Sequence, residues 1–202
     1  MGALLGFADS SAGAQAPATN GRWQPVGDAR DSWFDVAGSK RRIFFDTTSP
    51  AGVPDAAQFA GGFFSGSKSG YGLGDEDLAI IIGFRHNATC FGYNDAMWAK
   101  YGAALGEAAG GFKDPKTGEA AAANVRRASL EGLAKRGVRF TICELSTRRF
   151  SGAAARATSQ KTDDVFKEIS ANLILNARLV PAGIVALDRA HEHGYTITTV
   201  IG

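Results

Sequence analysis

The segment Leu78–His86, LAIIIGFRH, constrains the fold more than any other part of the chain. It is a continuous aliphatic run without alternation, closed by an Arg-His pair. A short run of this kind suits a strand buried on both faces, as at the centre of a parallel sheet covered by helices. Such a strand delivers its last residues to the carboxyl edge of the sheet, where open α/β folds place ligands. Arg85 and His86 stand at that end.

The flanking sequence repeats this logic. Arg41–Asp46 (RRIFFD) reads as a strand ending in an acid, Val138–Cys143 (VRFTIC) as another, Leu179-Val180 as a short one, and Tyr195–Ile201 (YTITTVI) as the last. Pro54 suits the first turn of a helix whose broad apolar side carries Ala57, Phe59, Ala60, Phe63 and Phe64, followed by a turn-rich connector at 65–74. Asn94 is a good N-cap for a helix with Met97, Trp98, Tyr101 and Leu105 facing the core. Gly110–Ala123 reads as an exposed insertion, and a helix from Asn124 to Arg136 closes on Gly137. Ser146 is placed to cap the helix after VRFTIC, Asp163 the next one, built on Val165, Phe166, Ile169 and Leu173. A final helix carries Ile184, Leu187 and His191 and stops at Gly194. Strands regularly separated by helices imply a three-layer α/β/α fold with an open, mainly parallel sheet of about five strands.

Composition removes several functions. Twenty-two Lys and Arg against twenty Asp and Glu give a net charge of +2, too balanced for a nucleic-acid partner. No apolar segment approaches the roughly 20 residues of a membrane span. Gly70-Tyr71-Gly72-Leu73-Gly74 precedes a strand where a nucleotide loop would follow one, and GxSxG, HExxH and Walker sequences are absent. No cofactor is called for. Residues 1–19 end in small-x-small patterns, which reads either as the back of a secretory signal or as an Ala/Gly/Ser-rich disordered tail. The first reading implies a periplasmic or secreted protein, the second leaves a cytoplasmic one. Residues 20–40 form an arm carrying Trp23, Trp33 and Phe34.

Parallel strands bring Asp46, His86 and Cys143 to one edge, with Cys90 in the loop beyond His86 and Arg148 and Arg149 just after Cys143. A thiol near a helix N-terminus and arginines is favoured as thiolate, with Glu144 acting against this. His86 is placed to act as base or hydrogen-bond donor toward that sulfur. The ordinary role of a strand-end cysteine is inert core. Three alternatives use the same residues: His86, Cys90 and Cys143 as metal donors, His86 as a haem ligand, or a Cys90–Cys143 disulfide in an exported protein. No pair has a standard metal spacing.

From Arg41 to Ile201 the chain resembles the DsrE/DsrF-like family of sulfur-relay proteins, which includes the TusD type. The resemblance rests on the strand and loop before the NDAMWAKY helix, a helix ending KRGV, VRFTIC followed by a helix, and the closing VPAGIVALDRAHEHGYTITTVI. It implies a DsrE-like domain over 41–202 with 110–123 as an insertion. It also implies a persulfide-forming cysteine at Cys143, a small sulfur compound or sulfur-carrier protein as partner, and a trimeric or hexameric homo-oligomer. Arg85 and His86 resemble a strand-end pair without assigned role. The arm, the insertion and the signal-like front depart from the cytoplasmic members. The competing expectation is a non-catalytic small-ligand, metal or haem binding oligomer using His86.

Overall fold

The structure, a computed structural model, describes residues 25–202. The signal-like stretch and Trp23 lie outside the described residues. Five strands, β1 (Arg41–Thr47), β2 (Leu78–Phe84), β3 (Arg139–Cys143), β4 (Ala177–Val180) and β5 (Thr196–Val200), form one sheet in the order β4-β3-β2-β1-β5. Every pairing is parallel. Six helices connect them: α1 (Gly52–Tyr71), α2 (Asp95–Ala108), α3 (Arg127–Lys135), α4 (Glu144–Thr158), α5 (Thr162–Ser170) and α6 (Gly183–Glu192). The expected α/β class, with its open parallel sheet, is the observed one.

LAIIIGF is the central strand, and all seven of its residues are buried. Alternate side chains serve opposite faces, as the pleat requires. Leu78, Ile80, Ile82 and Phe84 join the large core with Phe64, Trp98, Tyr101, Phe140 and Phe150. Ala79 and Ile81 join a smaller one with Phe34, Phe44, Ala186, Ala190 and Tyr195. The strand order explains the unequal layers. From β1 to β4 the chain steps one way across the sheet, so right-handed crossovers put α1 to α5 on one face. The return from β4 to β5 reverses direction and sends α6 to the other face. That face is completed by a 3-10 turn, Ala29–Phe34, from the amino-terminal arm.

Several boundaries differ from expectation. α1 runs on to Tyr71, absorbing most of the expected connector; Gly72, at φ 66°, ends it in the left-handed conformation. Its buried line is Val53, Ala56, Ala60 and Phe64, spaced as one face of a helix, and Phe59 falls outside that stripe and is 47% exposed. Asn94 caps α2 as expected, accepting from the Met97 N–H at 3.3 Å. α3 is shorter than expected. Ser146 and Asp163 are not caps: each lies inside the first turn, with Cys143 and Lys161 at the N-cap positions. The insertion is irregular and mostly exposed but anchored, since Ala121 within it and Asn124 just after it are buried. Asn124 donates to the carbonyls of Phe91 and Tyr93 at 2.8 and 2.9 Å. Among the described residues no helix is long and apolar enough to cross a membrane.

Candidate functional site at the carboxyl edge

The reversal in strand order fixes where a crevice opens. β3 leads into α4 on one face, and its neighbour β4 leads into α6 on the other, with Cys143 paired in register to Val180. Ligands in open α/β sheets bind at such a switch point. A cavity of about 280 Å³ lies there. Arg85 and His86 contribute from the end of β2. Cys143, Leu145, Ser146 and Arg149 come from the β3–α4 junction, and Ala182, Gly183 and Ile184 from the start of α6. None of the nine is a carboxylate.

Each wall has a local cause. Arg85 lies along the base, and its Nε and Nη2 donate to the two carboxylate oxygens of Asp46 at 2.7 and 2.8 Å. Asp46 is 1% exposed. It therefore braces the arginine and has no free face toward the cavity, which corrects the expectation that it would bind ligand. Its hydrogen bonds also raise the proton affinity of the Arg85 guanidinium. Gly183 permits this packing: a Cβ there would stand 2.7 Å from Arg85 Cβ.

His86 follows with φ 50°, a left-handed conformation uncommon for a residue with a side chain. Its N–H donates to Ser146 Oγ at 3.1 Å, which ties the turn to α4 and leaves the imidazole exposed at the mouth. Arg149 reaches from α4 to the same turn, donating to the carbonyls of Ala108 and His86 at 2.6 and 3.3 Å and to Asn87 Oδ1 at 3.0 Å. Its position is set by acceptors that carry no charge.

Cys143 closes β3 and occupies the N-cap position of α4. The residue is 5% exposed and lines the cavity. A buried relay holds the strand end: Tyr93 OH donates to Thr147 Oγ1 at 3.0 Å, and that hydroxyl donates to the Cys143 carbonyl at 2.9 Å. Two helices begin at the cavity, α4 beside Cys143 and α6 at Gly183. Neither has a side-chain cap. Their first-turn N–H groups lack intrahelical partners and carry the positive end of each dipole.

Two other candidates do not reach the cavity. Arg148 turns outward, donating to Glu144 Oε1 at 3.0 and 2.8 Å and lying 4.0 Å from the centroid of the Phe166 ring. Glu144, the acid expected to oppose a thiolate, is thus engaged by Arg148. Cys90 is fully buried in the large core, its thiol against the Asn87 carbonyl at 3.5 Å and its own carbonyl accepting from Trp98 Nε1 at 3.1 Å. Burial pushes that thiol well above the usual cysteine range. Both cysteines are free, so the disulfide alternative is not formed. Among the described residues no three His, Cys, Asp or Glu side chains converge to hold a metal ion, and the trio His86, Cys90 and Cys143 is not assembled. Ala182–Ile184 and Leu145 are site residues the sequence did not reveal. Membership of Ala182–Ile184 depends on β4 lying next to β3, and no motif marks that; Leu145 lies two residues past Cys143, in the first turn of α4.

Fold and site together define a doubly wound parallel α/β domain with a cysteine-containing, carboxylate-free cavity at its switch point. No family model matches the chain, and no curated protein matches it. Among solved structures it is similar to a protein of unknown function, MTH1491 from Methanobacterium thermoautotrophicum. The two share 12% identity over 79% of this chain and 99% of that one, with a TM-score of 0.45.

Proposed function

We propose that the carboxyl-edge cavity binds a small sulfur-containing anion and that Cys143 accepts its terminal sulfur. One observation carries the reading: a cysteine lines a cavity bounded by two uncapped helix N-termini, His86 and Arg149, without a carboxylate. Helix N-termini and cations favour an anion. With thiosulfate as donor, the Cys143 thiolate attacks the outer sulfur, a new S–S bond forms, and the donor's S–S bond breaks with its electron pair leaving on sulfite. The product is a persulfide anion on Cys143, so charge and atoms balance. His86 takes up the thiol proton before attack. The sulfur then passes to the thiol of a small compound or of a sulfur-carrier protein. A trimeric or hexameric assembly belongs to the same reading, while residues 1–19 carry a separate proposal of export, with a cytoplasmic location as its alternative; sizing chromatography and cell fractionation test them.

The decisive experiment incubates wild type, Cys143→Ser and Cys90→Ser with thiosulfate or polysulfide and maps modified peptides by mass spectrometry. Added sulfur on Cys143 in wild type and Cys90→Ser, and none in Cys143→Ser, is the expected outcome. Wild type and Cys143→Ser behaving alike would end the proposal. Iodoacetamide under native conditions provides a control, because it should spare the buried Cys90 until denaturant is added.

A further inference from the structure

A second cavity, of about 330 Å³, lies on the opposite side of the β4–α6 loop, between the amino-terminal arm and α6. It is near the lower end of the roughly 300–1,000 Å³ of small-molecule sites. The arm builds one wall and the sheet with α6 the other. Trp33 and Phe34 meet edge to face, centroids 5.4 Å apart, and Trp33 keeps part of its surface open. Val180, Val185 and Ala186 face them from β4 and α6. These residues make an apolar slot suited to a flat ring.

Its charged groups are nearly all committed. Arg30 donates through Nε and Nη2 to the Asp28 carboxylate at 2.9 and 2.6 Å. Arg189 pairs with Asp31 at 2.6 Å and with Glu192. Those bonds hold Asp28 and Asp31 as spent carboxylates, so neither is available to attract a cation. Arg178 differs. Its one hydrogen bond goes to the Arg30 carbonyl, 3.1 Å from Nη1, and among the described residues it forms no ion pair. A half-buried guanidinium with most of its donors uncommitted stands at the edge of an aromatic slot.

We infer that this cavity is a binding site for a small aromatic carboxylate, with the ring between Trp33 and α6 and the carboxylate on Arg178. Arginine is suited to this task because its planar fork meets both carboxylate oxygens. The inference is independent of the sulfur reading, since the lining includes neither Cys143 nor His86.

The test uses the full chain, phenylacetate as probe and phenylacetamide as its neutral counterpart, followed by amide NMR shifts and calorimetry. Phenylacetate should move resonances of Trp33, Arg178 and Val185 saturably. Phenylacetamide on wild type, and phenylacetate on Arg178→Gln, should each bind about tenfold more weakly, the loss expected for one charged hydrogen-bonding pair. Val185→Trp narrows the slot from a position 48% exposed, so the fold should survive while phenylacetate binding is lost. Equal binding of acid and amide, wild-type affinity in Arg178→Gln, no saturable shift at millimolar phenylacetate, or shifts confined to Leu145, Ser146 and Ile184 would each overturn the assignment.

Discussion

The Asp46–Arg85 pair offers a sharp test of how the cavity base is held, because its two members differ in access to water. The Asp46 side chain is 2% exposed and that of Arg85 22%. Truncating the arginine leaves a carboxylate buried without its counter-charge, at a cost of about 3–5 kcal/mol. Truncating the acid leaves a guanidinium that already reaches the cavity and can be hydrated there, so the cost falls to about 1–3 kcal/mol. For a chain of this size that corresponds to roughly 6–20 °C in Tm for Arg85→Met and markedly less for Asp46→Leu. The double variant should be more stable than Arg85→Met alone, because no orphaned charge remains. Urea unfolding followed by far-UV circular dichroism gives the three free energies and the coupling between the sites. Equal costs for the single variants, with additive behaviour in the double, would refute the buried-brace account.

His86 and Glu168 supply two further tests. His86→Gly should raise stability by about 0.5–1 kcal/mol in the same unfolding assay, since glycine accepts φ 50° without a Cβ penalty; a loss above about 1 kcal/mol would mean the imidazole contributes to the fold. Glu168 is held below its ordinary value of 4.5, first by the Lys100 ammonium and then by the Tyr101 hydroxyl, at 2.7 and 2.6 Å. Its contribution is present above that ordinary value and is lost as pH falls through the lower folded-state value. Being partly solvated, it is worth at most about 1 kcal/mol. Glu168→Gln should flatten the acid limb of a stability–pH curve and leave the shape above neutrality unchanged.

How much of this was legible beforehand follows from the range of the interactions concerned. The seven buried residues of β2, the Asn94 cap and the turn at Gly137 are local events, and their signals lie within a few residues. Unbroken aliphatic runs separated by helical patterns were enough to imply a parallel sheet and to send Arg85, His86 and Cys143 to one edge. Phe59 misled because aromatic count says little about which stripe of α1 meets the sheet. Asp46, Arg148 and Cys90 were placed correctly along the chain, yet direction was missing: one braces Arg85, one turns to Glu144 and Phe166, and one enters the core.

The sequence by itself determined the class of fold and the edge at which chemistry is possible, because hydrophobic period and strand–helix alternation are written residue by residue. Only the tertiary structure decided that β4 returns beside β3 and that α6 crosses to the other face. Strand order is a matter of which distant segments bury each other's surfaces, and no local propensity encodes it. That one long-range choice opens the crevice at Cys143, supplies its second helix N-terminus, and leaves the arm to cover what α6 does not.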